Sequence, residues 1–154
     1  TGLADPFDED VTLARDFLRS PRLDGIITDQ HLEERDRIGR TVVLLARLMH
    51  DGWTETGRAI AADRETALHI DPATGRGEVF ATPDHETPYV YFLRARRPPA
   101  VSESGKPLTF HDVDVYRVGP GGSFDLADWR GTGGIAYTLD VEEGVLSSSR
   151  GEIY

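Results

Sequence analysis

The sequence predicts an α/β fold that begins with a strand and a helix and becomes rich in β-strands toward its end. A short β-branched run, Ile26-Ile27-Thr28, indicates a buried strand directly after Gly25. Apolar residues then recur at helical spacing and predict a helix over residues 32–50, which Gly52 ends. Later, apolar and polar residues alternate as in strands. We expect residues 1–154 to form a single domain, or one half or subunit of a larger protein, without an internal linker.

The individual elements follow from local patterns. The apolar stripe of the predicted helix consists of Ile38, Val42, Leu45 and Met49. The first turns of that helix carry acids, which the helix dipole favours there, at Glu33, Glu34 and Asp36. Residues 11–18 are compatible with a short helix or a short strand. Further strands are predicted at residues 59–70, 77–82, 89–95, 113–118 and 135–141, with turns at 71–75 and 119–122.

Composition and charge exclude several classes of protein. The formal net charge of −10 argues against a nucleic-acid binder, because phosphate contacts need a basic surface. The chain has no cysteine, which excludes disulfides, thiol chemistry and Cys-ligated zinc but leaves the compartment open. No apolar run approaches the roughly 18 residues of a spanning helix. We therefore expect neither nucleic acid nor a membrane as a partner.

The segment Asp29-Gln30-His31 stands where the predicted strand ends and the predicted helix begins. In open α/β sheets, ligands bind at such junctions. A histidine at a helix N-terminus is favoured in the neutral form that a general base requires. Three arginines that could hold carboxylates follow it, namely Arg35, Arg37 and Arg40. The same pattern is also typical of a capped helix with solvated arginines, and spacing alone leaves both interpretations open.

Residues 26–40 resemble the I-I-D-Q-H-F-x-x-R-x-R-x-G-R segment of the cyanophycinase family of S51-like serine peptidases. The similarity comprises D-Q-H and three arginines at four, six and nine positions after the histidine. Residues 63–68 resemble the family's D-E-x-T-A-L segment, residues 134–154 resemble its C-terminus, and residues 1–7 resemble a stretch after its nucleophile helix. The resemblance spans nearly the whole chain but only the later half of the family's sequence.

This resemblance implies the C-terminal half of a flavodoxin-like α/β/α sandwich, of the class I glutamine amidotransferase type, with a β-rich C-terminal part. It implies a hydrolase that cleaves isoaspartyl peptide bonds, such as β-Asp-Arg, or related peptide bonds, without cofactor or metal. His31 would be the general base of a Ser-His-acid triad. The substrate pocket would be shaped by Asp29, Gln30, Arg35, Arg37 and Arg40. The nucleophile would come from the N-terminal half of the same precursor, as a second chain or a neighbouring subunit, and we expect a homo-oligomer.

The acid of the implied triad departs from the family pattern. The family's Glu follows the Asp directly, whereas this chain has Arg64 there and Glu65 one place later. On a strand, a shift by one residue turns a side chain to the opposite face. We expect Glu65 to orient His31, with a bulge restoring its direction; an acid from elsewhere and an altered triad stay open as alternatives.

The nucleophile also departs from the pattern. The family's G-x-S-x-G turn is not found, and Gly121-Gly122-Ser123 indicates a hairpin turn instead. Thr1 offers an alternative, because an N-terminal threonine exposed by self-cleavage can attack with its own amine as base. The start at Thr rather than Met indicates a processed chain, a fragment or a trimmed one. A third interpretation is a non-catalytic binding module of the same fold, which Arg64 and the missing turn favour.

Overall fold

The computed structural model describes residues 1–14 and 20–154, which contain ten strands and one helix. In chain order the elements are β1 (Ile26–Gln30), α1 (Ile38–His50), β2 (Gly57–Ala62), β3 (Thr66–Ile70), β4 (Arg76–Ala81), β5 (Val90–Ala95), β6 (Phe110–Val118), β7 (Ser123–Asp125), β8 (Arg130–Thr132), β9 (Ile135–Glu142) and β10 (Val145–Ser148). The strands form two sheets. Helix α1 and the smaller sheet cover opposite faces of the larger sheet.

The sheet topology corrects the predicted fold class. The larger sheet has six strands in the order β1-β2-β5-β6-β9-β10, and the smaller has four in the order β3-β4-β7-β8. Among the described strands only β1 and β2 pair in parallel. The flavodoxin-like α/β/α sandwich is therefore wrong, because that fold has helices on both faces of a mostly parallel sheet. Here an antiparallel sheet forms the third layer, since most neighbouring strands are linked without the crossover helices that parallel pairing needs.

Alternating side chains of β2 and β5 hold the three layers together. Ala59 and Ala61 face α1 and belong to the core between the helix and the larger sheet. Ile60 and Phe92 face the other way and pack with Phe124 of the smaller sheet. Both strands are thus buried on both faces, which fixes the position of the neighbouring β1 and of the residues that follow it.

Helix α1 confirms the predicted stripe and the predicted end. The stripe residues are buried against the sheet: Ile38, Val42, Leu45 and Met49. Gly52 follows the last turn with φ 69°, a left-handed conformation that glycine adopts without steric cost. The amphipathic pattern is therefore sufficient to locate the body of the helix.

The helix begins later than predicted, at Ile38 instead of residue 32. His31 and Asp36 have φ of 56° and 47°, which an α-helix cannot accommodate, so the segment between them forms irregular turns. The first turn of α1 accordingly contains no acidic residue. His31 does not stand at the helix N-terminus, and the helix dipole cannot set its protonation state.

Two buried or partly buried tyrosines hold this turn segment in place. Tyr91 donates a hydrogen bond to Glu33 at 3.3 Å, and Tyr154 donates one to Asp36 at 2.8 Å. Burial raises the pKa of Tyr91 far above its ordinary value, which keeps the hydroxyl protonated and able to donate. The segment after β1 is therefore attached to the core of the larger sheet.

Most of the predicted strands are confirmed with small shifts at their ends, as is the turn at residues 71–75. The run at 59–70 divides into β2 and β3 because residues 63–65 form a turn with Glu65 at φ 55°. The predicted hairpin turn at Gly121-Gly122-Ser123 connects strands of different sheets. Residues 11–14 have no regular structure, and residues 15–18 of that ambiguous segment lie outside the described residues. The described part of the chain contains no helix with the length and hydropathy needed to cross a membrane.

Candidate functional site

His31 directly follows β1 and carries a carboxylate partner within its own turn. Its Nδ1 lies 2.7 Å from Oε2 of Glu34, and its side chain is 32% exposed. The left-handed backbone of His31 begins the turn that brings a residue three positions later beside the ring. The pair is thus built from local sequence and placed at the end of the larger sheet.

The contact determines which imidazole nitrogen can accept a proton. The hydrogen bond from His31 lowers the pKa of Glu34 below its ordinary value of 4.5, so this carboxylate is ionised at neutral pH. An ionised carboxylate only accepts hydrogen bonds, and Nδ1 must therefore carry the proton. In the neutral ring Nε2 then has the lone pair, which is the arrangement of a general base oriented by a carboxylate.

Glu65 does not contact His31. Its Oε2 accepts a hydrogen bond from the Thr82 hydroxyl at 2.9 Å, and its Oε1 lies 3.6 Å from Nε of Arg64. The Nη1 atom of Arg64 in turn lies 3.6 Å from Oε1 of Glu34. Arg64, which stands where the family has its acid, therefore contacts the carboxylate that holds His31. The carboxylate next to the imidazole is that of Glu34, which lies in the loop between β1 and α1 and not in the loop of Glu65.

Asp63 fixes the two loops to each other. Its side chain is almost fully buried and accepts hydrogen bonds from the backbone N–H groups of Glu34 and Arg64, at 3.4 and 2.8 Å, and from the Thr87 hydroxyl, at 3.3 Å. These hydrogen bonds compensate the carboxylate for the hydration that it loses on burial. Asp63 therefore acts as the structural anchor beneath the His31–Glu34 pair.

A cavity of about 560 Å³ opens beside this pair and is strongly acidic. The acidic residues that line it are Glu33, Glu34, Asp63, Glu65, Asp84 and Glu86. Arg64 and His85 line it as well, and Nε2 of His85 is buried without a hydrogen-bond partner among the described residues. The excess of carboxylates gives the cavity a negative potential that suits a cationic group. The described residues include no group of three or more His, Asp or Glu placed to hold a metal ion.

The predicted arginines have different surroundings. Arg40 donates hydrogen bonds from Nε and Nη2 to the carboxylate of Asp29. The Asp29 side chain is 5% exposed and also accepts a hydrogen bond from the Thr41 hydroxyl. Arg37 donates to the backbone oxygen of Gln30 at 2.9 Å. These two arginines tie β1 to α1. Arg35 is exposed, and its charge contributes to the lowered pKa of Glu34.

Thr1 lies at a different cavity from the His31–Glu34 pair. This second cavity, of about 770 Å³, is lined by Thr1, Asp29 and Arg40 among others. The Thr1 ammonium is 3.8 Å from Asp8, and the side chain is 89% exposed. The structure thus brings Thr1 together with two of the predicted substrate-binding residues, while His31 and Glu65 belong to the acidic side of the molecule.

Sequence reasoning missed Glu34 and Asp63 as site residues. The predicted helix places Glu34 among the acids that the dipole favours, although its spacing of three residues from His31 already allows a contact in a turn or a helix. Asp63 is the first residue of the segment that resembles the family's D-E-x-T-A-L, but its burial has no signature in the sequence. No protein-family model matches this chain, and a search of curated proteins finds no match.

The lowered pKa of Glu34 gives a first prediction. We expect Glu34 to titrate below 4.5 and its midpoint to rise in His31→Ala, because the histidine hydrogen bond is the largest cause of the shift. The stabilisation from this pair is then present above pH 4.5 and lost as the pH falls through the lowered pKa. Carboxyl-carbon NMR measures both midpoints. Glu103, whose pKa is lowered by Lys106, is the control and should not move; an unchanged Glu34 midpoint would contradict the assignment.

Proposed function

We propose that this chain supplies the general base of an amide hydrolase, with His31 as the base and Glu34 as the carboxylate that orients it. The observation that carries the proposal is the 2.7 Å contact between Nδ1 of the partly exposed His31 ring and Oε2 of Glu34, a residue that lines the acidic cavity. The resemblance of the D-Q-H segment to cyanophycinases supports the same role for His31. Glu34 falls at an unspecified position of the family pattern, so its contact with His31 is an argument independent of the resemblance.

The proposed substrate is an isoaspartyl peptide such as β-Asp-Arg. The acidic cavity beside Glu34 suits the guanidinium of such a substrate, since six of its lining residues are acidic. Arg35 is exposed and forms no ion pair with a described residue, which leaves its guanidinium able to bind a substrate carboxylate. Both ends of a zwitterionic dipeptide thus have a partner of opposite charge near the base.

In the proposed reaction a hydroxyl attacks the carbonyl carbon of the amide and its proton passes to Nε2 of His31. The imidazolium, stabilised by Glu34, gives this proton to the amide nitrogen as the C–N bond breaks and the amine leaves. Water, deprotonated by the same nitrogen, then hydrolyses the ester and restores the hydroxyl. We propose that this hydroxyl comes from the segment that the family resemblance places before this sequence, since Thr1 lies at another cavity.

The test measures arginine release from a β-aspartyl-arginine dipeptide by the full-length protein. Glu34→Gln should lower kcat about 100-fold, because the amide cannot stabilise the imidazolium. Glu65→Gln should have a smaller effect, and Glu103→Gln, which removes an exposed carboxylate paired with Lys106, should have none. A larger loss with Glu65→Gln would return the orienting role to Glu65. The α-linked dipeptide shows whether the isoaspartyl bond is required.

The same assay decides between the two alternative interpretations. If Thr1 is the nucleophile, Thr1→Ala should abolish turnover while Glu34→Gln has little effect. If the chain is a binding module, the wild-type protein should bind the dipeptide without releasing arginine. Turnover that survives Thr1→Ala and is lost with Glu34→Gln favours the His31–Glu34 mechanism over both.

A further inference from the structure

A row of polar side chains crosses the larger sheet at the end opposite to His31. Arg58, Arg94, Asp114 and Thr138 are direct neighbours on β2, β5, β6 and β9. Arg58 is also level with Ile26, the first residue of β1, whereas His31 follows the last. Arg94 is therefore roughly 13 Å along the strands from the level of Gln30, the last residue of β1, which His31 follows. The row shares the sheet face that the smaller sheet covers only in part.

Positive charge exceeds negative charge in this row. Arg94 and Arg96 share one carboxylate, that of Asp114, at 3.3 and 3.0 Å. The Nε atoms of Arg94 and Arg58 are buried and have no hydrogen-bond partner among the described residues. Arg130, the first residue of β8 in the smaller sheet, is exposed and has no ion pair within the described part of the chain. Of Arg94 and Arg58, Arg94 lines the cleft between the two sheets, whereas the Arg58 guanidinium lies over the Trp129 ring, 4.9 Å from its centroid. Arg94, Arg96 and Arg130 therefore bring three guanidiniums to the cleft.

Aromatic rings line the same place. Arg94, Arg96 and Arg130 border a cleft of about 480 Å³ between the two sheets, together with Phe92, Phe124 and Trp129. The Phe92 and Phe124 rings stack with centroids 3.7 Å apart, and Trp129 packs edge-on against Phe124 at 5.2 Å. The volume is in the range of small-molecule sites, about 300–1,000 Å³. The cleft therefore combines an apolar wall for a ring with guanidiniums for an anion.

We propose that this cleft binds a small organic anion, a carboxylate or a phosphate monoester attached to an apolar ring. Guanidiniums bind either group in a bidentate manner. Because Phe92, Phe124 and Trp129 are at most 5% exposed and form the floor of the cleft, contact area for the ring comes from the half-buried Tyr116 and the exposed Ala136, which also line it. The net charge of −10 disfavours long polyanions, while a single anionic group can bind where the local excess of arginines overcomes the overall charge. The site is separate from the acidic cavity beside His31, which suits the opposite charge.

The experiment titrates the protein with benzoate and with phenyl phosphate, and uses benzyl alcohol as the neutral control. NMR follows the indole N–H of Trp129 and the backbone N–H of Gly131, which both line the cleft. We expect one or both anions to shift these signals saturably and the alcohol to shift them at least about tenfold more weakly. Comparison of the two anions shows whether carboxylate or phosphate is preferred.

The variants separate this cleft from general surface charge. Arg96→Gln/Arg130→Gln removes two exposed guanidiniums at the cleft and should weaken anion binding about tenfold or more. Arg97→Gln is the matched control, since Arg97 is 81% exposed, pairs with Asp112 and does not line the cleft. Equal binding of the alcohol, equal loss with Arg97→Gln, or no saturable shift with either anion overturns the proposal. None of these outcomes depends on the hydrolase activity.

Discussion

Replacement of His31 with alanine should lower the rate of isoaspartyl dipeptide hydrolysis about 10²- to 10⁴-fold, which is the usual contribution of a general base. The expected loss is in kcat, because the imidazole acts on the proton of the nucleophile and of the leaving amine. The variant should fold, since the side chain is partly exposed and its partner Glu34 is partly exposed as well. Steady-state kinetics with the full-length protein, together with circular dichroism, measures both effects.

The matched control is His111→Ala. His111 is also partly exposed and also lies beside carboxylates, with Nε2 3.2 Å from Oε2 of Glu142, but it belongs to the β6–β9 surface. Its removal should leave kcat unchanged. The mechanism also predicts a signature that a purely structural role would lack. The pH profile of kcat/KM should lose its acidic limb in His31→Ala, because that limb reports the protonation of the base. Full activity in His31→Ala would refute the proposed function.

The sequence could predict the position of this site but not its internal contacts. The end of β1 and the buried stripe of α1 follow from local patterns, because apolar periodicity reports which face is buried. The turn between them depends on left-handed backbone at His31 and Asp36, residue types that give no glycine-like signal for φ > 0. The contact between His31 and Glu34 follows from that turn. A helix starting at residue 32 would have placed the same acids in its first turn instead.

Glu65 shows why a shift of one residue could not be settled from the sequence. The prediction allowed a bulge that would turn Glu65 toward His31. In the structure the turn at residues 63–65 directs Glu65 to Thr82 and lets Arg64 reach Glu34. A carboxylate from the other loop therefore stands beside the histidine. Such a compensation depends on two loops that are distant in sequence, and only coordinates reveal it.

The flavodoxin-like sandwich, which the family resemblance implied, is wrong because only the first strand–helix–strand unit of the described chain has that arrangement. The unit β1-α1-β2 is indeed parallel with a helical crossover. All later described strands pair antiparallel, and three of them, β7, β8 and β10, are only three or four residues long. Strands of that length contain too few alternations to be recognised. The packing of the smaller sheet, which contains β7 and β8, on the larger one depends on contacts such as Phe92 with Phe124, which join positions far apart in the chain.

Replacement of Phe92 with alanine should therefore reduce the free energy of unfolding by about 3–5 kcal/mol, the usual cost of truncating a buried phenylalanine. The Phe92 ring is 1% exposed, stacks on Phe124 and meets Trp129 edge-on at 6.2 Å. It is thus the main side chain of the larger sheet that packs into the smaller one at this point. Its removal deletes apolar contact on both sheets and leaves a cavity that the two rigid sheets cannot close. Urea denaturation followed by circular dichroism measures the change.

Phe80→Ala provides the matched control, because Phe80 lies on β4 of the smaller sheet but is 55% exposed. Its ring meets only the edge of His69, at 6.5 Å, among the described aromatic pairs. We expect its truncation to change the free energy of unfolding by about 0.5 kcal/mol or less. If the two sheets are held mainly by their connecting turns, Phe92→Ala should be as mild as Phe80→Ala. A much larger loss of unfolding free energy in Phe92→Ala would instead show that the aromatic contact holds the two sheets together. Both substitutions remove the same atoms and differ only in burial.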